Sequence, residues 1–256
     1  MDDAMLLPPS VAEAVERLYA AFAAYPAPKS IDGCPCCVGE SDREGLHAAP
    51  LRQITAEQLG RYPAKALTTM GNEDDYRHFL PRLLELSLAP NGRHGLDPWL
   101  IFGKLSYGHW TTWPMAEQKA LVGFLQTIWQ ALIEYPVEDP VPDERQLIWE
   151  KTDAIECASQ SGLPIAPLLE QLWPPRSANA LDHLAHLAAE LLFREEWSLV
   201  EASVLEELKA WLRDPAKLFA LNQHAQARPP SDDRYWLADG IESIRQLLEQ
   251  KPEPKG

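Results

Sequence analysis

Three thiols stand close together in the run Gly33-Cys34-Pro35-Cys36-Cys37-Val38-Gly39. Cys34 and Cys37 have C-x-x-C spacing, at which a chain can turn back and put both thiolates on one zinc ion, and Cys36 adds a sulfur between them. Zinc takes four tetrahedral N or S ligands, and a strong zinc signature would show a second matched pair. This chain has none. The residues left to complete a site are His47, His78 and Cys157, and the expected metal set is Cys34, Cys36, Cys37 and His47, with zinc in a structural or a catalytic role. Two readings compete with it. The thiols can be inert packing in an ordered loop, or they can do redox or nucleophilic chemistry. A thioredoxin-type C-x-x-C opens a helix after a strand, and no such setting is visible here. Cys157 lies within a helical pattern and reads as a small core residue, with no motif to supply a partner base.

A second constellation is Asp74-Asp75-Tyr76-Arg77-His78-Phe79-Leu80-Pro81-Arg82. Its bland reading is a capped, kinked core helix whose ionic groups brace neighbouring loops. Its sharper reading is a binding surface of Asp75, Arg77, His78 and Arg82, built where Pro81 disrupts the helix. A third group, His183, His186 and Glu190, falls within one narrow arc of a helix, opposite the apolar stripe of Leu184, Leu187, Ala188, Leu191 and Leu192. These polar groups are expected to face solvent. There is no Gly-rich phosphate loop, no G-x-S-x-G elbow and no kinase signature.

The elements that must position these residues are helical. Val11, Val15, Leu18, Tyr19 and Phe22 form one stripe of a helix over 10–24, with Ser10 and Glu13 as a capping box. Residues 26–50 lack a period and read as an ordered loop or metal knuckle. Thr55 with Gln58 caps a short helix that stops near Pro63. A helix over 73–88 is expected to kink or break near Leu80 because of Pro81. The stretch 88–97 is a loop. The clearest helix spans 115–134, and Pro136–Pro142 is a stiff connection. Further helices are expected over 143–159, 165–172, 178–195, 198–213 (with Ser198 and Glu201 as a capping box), 215–226 and 232–250. Almost nothing alternates with period 2. The class is therefore all-α, with about ten helices packed as antiparallel pairs in an irregular bundle or a short HEAT-like stack. The chain reads as a single domain over 1–256, or as two subdomains, 1–135 with the Cys loop and 143–256 as an acidic helical part. The nine Trp residues default to core packing.

The net charge is −15 over 256 residues. It is uneven: residues 1–114 hold 10 basic and 14 acidic groups, and residues 115–256 hold 13 and 24. Such a surface repels phosphate backbones, which excludes nucleic acid and anionic membranes and favours basic proteins or cations as partners. The N-terminal run lacks the basic segment and long apolar stretch of a signal peptide, and no stretch is apolar enough for a membrane span. A cytoplasmic location is expected, with the cysteines reduced or metal-bound.

The C-x-C-C loop, Pro50-Leu51-Arg52 with the Leu59/Tyr62 helix, the run Asp75-Tyr76-Arg77-His78-Phe79-Leu80-Pro81-Arg82, and the Trp113-Pro114 and Glu117 helix start together resemble a group of bacterial hypothetical proteins. The resemblance covers roughly residues 30–135. It implies a bacterial origin and a common scaffold, and it carries no activity. Two functions are expected from the whole reading. The first is a non-enzymatic module that binds a protein, such as an acidic immunity-type or adaptor protein facing a basic partner. The alternative is a zinc-binding protein built on the Cys34/Cys36/Cys37 loop.

Overall fold

The computed structural model describes residues 7–88, 96–137, 149–193, 197, 199–228 and 235–250. The structure is all-α. Its helices are α1 (Pro9–Ala21), α2 (Glu40–Leu46), α3 (Ala56–Leu59), α4 (Tyr62–Lys65), α5 (Glu73–Ser87), α6 (Pro98–Tyr107), α7 (Met115–Glu134), α8 (Lys151–Ser161), α9 (Ala166–Leu172), α10 (Ala178–Phe193), α11 (Ala202–Leu212), α12 (Pro215–Gln226) and α13 (Tyr235–Glu249). Single 3-10 turns occupy Leu51–Gln53 and Trp110–Thr112. Among the described residues, β pairing is confined to isolated bridges, Gly33 with Met70 and Ala66 with Met70. The chain forms two compact units, one of residues 1–132 with 143–163 and one of residues 133–142 with 164–256.

In the first unit, α5 is the central helix. Asn72 caps it: its side chain accepts the Asp75 N–H at 3.0 Å, and the Asp75 carboxylate accepts the Asn72 N–H at 2.8 Å, a reciprocal box. Tyr76, Phe79, Leu80, Leu83 and Leu84 are fully buried. Of the kink or break expected near Leu80, the break does not occur: the helix runs on through Pro81 to Ser87. Proline in a helix interior costs about 3 kcal/mol. Burying each of those large side chains gains about 1.5–3 kcal/mol, so packing outweighs the missing hydrogen bond. Two of the buried polar tips find backbone partners. Tyr76 donates to the Ile101 carbonyl at 2.6 Å, and Trp149 Nε1 donates to the Ser87 carbonyl at 3.1 Å. Phe102 and Phe124 meet the Trp149 ring edge-on. α6 packs on α8, and Trp110 Nε1 donates to the Ser161 carbonyl at 2.8 Å.

The expected helix starts meet different outcomes. The Thr55/Gln58 box forms. The Ser10 box does not, because Pro8 is the N-cap and Pro9 already occupies the first helical position, where proline's missing N–H costs nothing. Ser198 lies outside the described residues, and α11 starts at Ala202 after Glu201. Residues 89–95 of the expected loop, 138–142 of the proline-rich connection and 143–148 of the expected 143–159 helix also lie outside them. α2 falls within the stretch that showed no period.

In the second unit, α10 packs on α13, α12 and α9. Leu184, Ala185, Leu187 and Ala188 are completely buried, as the stripe implies, but Asp182 and His183 are only 2% and 1% exposed. The face expected to be solvated is covered at this end of the helix. A single-stripe argument assumes one covered face, and α10 has neighbours on more than one. The buried polar groups are paired instead of hydrated. Arg228 donates to both Asp182 oxygens at 2.6 Å, His224 Nε2 donates to Asp182 at 2.8 Å, and His183 Nε2 donates to the Tyr135 carbonyl at 2.6 Å.

Gly240 marks a close approach of α13 to α10, since a Cβ there would collide with the Ala185 carbonyl oxygen. Gly240→Ala is expected to destabilise the protein by about 1–3 kcal/mol through overpacking. Gly123→Ala, on α7 with open space around the added methyl, is expected to stabilise it by up to about 1 kcal/mol. Chemical denaturation of both variants checks the pair.

Candidate functional site

The thiol loop is held from below by the core and from the side by a turn. Ile31 and Val38 are buried on either side of it. Gly33 lies against Val38, and a Cβ at Gly33 would stand 3.0 Å from the valine side chain. The partner turn runs from Lys65 to Gly71. There the amides of Thr68, Thr69 and Met70 all donate to the Lys65 carbonyl. Leu67 takes a left-handed conformation, with φ of 64°, which costs a non-glycine residue about 1–2 kcal/mol. The loop and the turn exchange two backbone hydrogen bonds: Cys34 N–H to Thr69 O at 2.9 Å, and Gly71 N–H to Asp32 O at 2.7 Å.

Within the loop, the amides of Cys37 and Val38 both donate to the Cys34 carbonyl, at 3.0 and 2.9 Å. Pro35 sits at the second position of this turn, where its fixed φ is pre-set. The turn brings the three sulfurs together. Cys34 Sγ is 2.8 Å from Cys36 Sγ, Cys36 Sγ is 3.4 Å from Cys37 Sγ, and all three lie within 4.8 Å of one another. Cys34 is half-buried, and Cys36 and Cys37 are exposed. This group can hold a metal ion.

Polar side chains clamp the loop. Lys65 Nζ donates to the Cys37 carbonyl. Asp42 accepts the Gly39 N–H at 2.9 Å at the start of α2, accepts Arg61 at 2.6 and 3.1 Å, and faces Lys65 Nζ at 3.8 Å. Arg43 Nε donates to the Ile31 carbonyl at 3.2 Å. Lys65 and Arg61 thus put cationic groups beside sulfurs that become anionic on binding a metal. The Cys34 thiol is held below its ordinary pKa, first by the hydrogen bond from the Cys36 thiol and then by the Cys36 amide, with the Cys37 thiol and amide adding to it. Cys36, in return, is pushed up to about 11 by its hydrogen bonds to Cys34 and Cys37. Arg61 and the Gly39 amide hold the Asp42 carboxyl below its usual range.

The other expected residues stand elsewhere. His47 is exposed at the C-cap of α2. A seven-residue helix is about 10 Å long and carries His47 away from the thiols, so the cluster of three does not include it. Cys157 is completely buried in α8, and burial pushes its thiol up.

Asp75, Arg77, His78 and Arg82 do not converge on one point, although Arg77 and His78 both reach Tyr25. Asp75 is occupied in the α5 cap. Arg77 lies over the Trp113 ring, 4.4 Å from its centroid, donates to the Tyr25 hydroxyl at 2.8 Å and to Glu73, and faces the buried Glu117 at 3.7 Å. Arg82 donates to the Ile54 carbonyl at 2.8 Å and to Glu85 at 2.7 Å. His78 Nδ1 donates to the Tyr25 carbonyl at 2.9 Å, and the ring lines an open groove of about 640 Å³ with Tyr19, Phe22, Arg52 and Pro81.

Two features escaped the sequence reading. One is the Lys65–Asp42–Arg61 clamp, which acts partly on backbone groups and so leaves no pattern. The other is the buried Asp182 with His224 and Arg228. The four-residue spacing of His224 and Arg228 is its one sequence signal, although Arg228 lies just past the end of α12.

No family model matches this chain, and neither a curated protein nor a solved structure matches it.

Asp42→Ala is expected to speed amide hydrogen exchange over residues 33–38 several-fold while helix content stays unchanged. The sign with pH follows from the lowered Asp42 pKa. The wild-type clamp is complete above the unfolded value of about 3.9 and is lost as pH falls through the lower folded value. Unchanged exchange in the variant would contradict the clamp.

Proposed function

We propose that this chain is a zinc-binding protein in which the Cys34, Cys36 and Cys37 thiolates hold one ion and leave a fourth position for solvent or an incoming ligand. One observation carries the reading: three Sγ atoms within 4.8 Å of one another on a turn anchored to the core. A tetrahedral zinc with Zn–S bonds of about 2.3 Å holds its sulfurs about 3.8 Å apart. Small thiol rotations bring this loop to that spacing. Backbone amides directed at Cys34 Sγ support a thiolate there, as outer hydrogen bonds do for metal ligands. Three thiolates on one divalent ion leave a single negative charge, and Lys65 and Arg61 stand ready to offset it.

An open position belongs to metal sites that act on or pass on something, whereas structural zinc sites are closed by four protein ligands. The loop is also fixed by backbone hydrogen bonds to the 65–71 turn, so it does not need the ion to take its shape. The basic protein partner expected from the net charge of −15 is a separate proposal, supported by charge alone.

Protein purified without chelators is expected to carry about one zinc per chain by elemental mass spectrometry, and Cys34→Ser/Cys37→Ser to carry none. Metal removal is expected to leave the far-ultraviolet circular dichroism unchanged. A wild type that fails to bind zinc against a competing chelator dye, or a double variant that retains it, would overturn the proposal.

A further inference from the structure

We infer that the same loop, when metal-free, is a two-electron thiol donor that exchanges with small-molecule disulfides and closes a Cys34–Cys36 disulfide. The inference uses the thiols of the proposed zinc site but does not require that zinc binds there.

The geometry selects this pair. Cys34 Sγ and Cys36 Sγ are 2.8 Å apart, and an S–S bond is about 2.05 Å, so less than about 1 Å of approach closes it. Cys36 and Cys37 are also near each other, at 3.4 Å. Joining adjacent residues, however, twists the intervening peptide far from the planar trans form, which is costly. The Cys37 carbonyl is further held by Lys65 and its amide by the Cys34 carbonyl. Cys36 is exposed and Cys34 half-buried, so an incoming disulfide can reach the pair. This C-x-C arrangement needs no strand before it and no helix after it, unlike the thioredoxin-type C-x-x-C.

The steps balance. One thiolate of the pair attacks a sulfur of RSSR, forming a protein–S–S–R bond and expelling RS⁻. The other cysteine loses its proton to solvent, and its thiolate attacks the protein sulfur of that mixed disulfide. This forms the Cys34–Cys36 bond and expels a second RS⁻. The protein is oxidised by two electrons, RSSR is reduced to two RSH, and the two protein protons end on the two leaving thiolates. A metal ion and this disulfide need the same sulfurs, so each excludes the other.

The test is incubation of reduced, metal-free full-length protein with glutathione disulfide and glutathione at a series of ratios. Alkylation and peptide mass spectrometry then identify the products. The wild type is expected to gain the Cys34–Cys36 bond and keep Cys37 alkylatable. Cys37→Ser is expected to form the same bond. Cys34→Ser and Cys36→Ser are each expected to stop at a glutathione mixed disulfide. Three alkylatable loop thiols at every ratio, a wild type that stops at the mixed disulfide, or a bond to Cys37 in place of Cys36 would each overturn the inference. A parallel arm adds zinc before the disulfide. If oxidation proceeds equally with zinc, the zinc proposal fails and the exchange inference stands. If zinc binds but the metal-free loop forms no Cys34–Cys36 bond, the exchange inference fails and the zinc proposal stands.

Discussion

Two backbone hydrogen bonds, from Cys34 N–H to Thr69 O and from Gly71 N–H to Asp32 O, fix the thiol loop against the 65–71 turn. The geometry of the site depends on this pairing. It sets the direction of the chain into Pro35, and so it sets which way the next three residues curl. Neither bond involves a side chain, so the pairing does not rest on the cysteine thiols themselves. The turn that receives the loop is itself held under strain at Leu67, which its multiple bonds to the Lys65 carbonyl maintain. Such strain persists only where surrounding structure over-determines it.

Beneath the site, the first unit is organised around α5. Its cap fixes where the helix starts, its apolar stripe fills the core, and Arg77 ties it to Tyr25, Trp113 and Glu117. The guanidinium is mostly buried, lies over an aromatic ring and is bonded at its rim, a setting that suits arginine better than lysine. The ionic residues of this helix therefore serve as braces. His78 differs in that it also lines the groove beside Pro81.

What could be read from the sequence followed from how strongly each feature was encoded locally. α12 was read with its observed bounds, and the α1 stripe of Val11, Val15, Leu18, Tyr19 and Phe22 is buried throughout. The C-x-C-C spacing alone pointed to the three thiols that converge. α2 was not legible because, of its seven residues, Leu46 alone is buried, so no period exists to detect. Missing that helix also made His47 look closer to the thiols than the chain allows. His183, with His186 and Glu190, reads as a solvated face because periodicity reports one covered side of a helix and says nothing of a second neighbour; His183 is instead buried. The unbroken course of α5 through Pro81 has a related cause: local proline chemistry argues for a kink or a break near Leu80, and long-range packing keeps the helix whole.

The central claim is that three thiolates from one loop share one ion with a position left open. X-ray absorption spectroscopy at the zinc edge on the zinc-loaded protein tests it most directly. Three sulfurs at about 2.3 Å and one nitrogen or oxygen at about 2.0–2.2 Å are expected. A shell of four sulfurs, which would require ligands from beyond this loop, or a shell of nitrogen and oxygen alone, would contradict it.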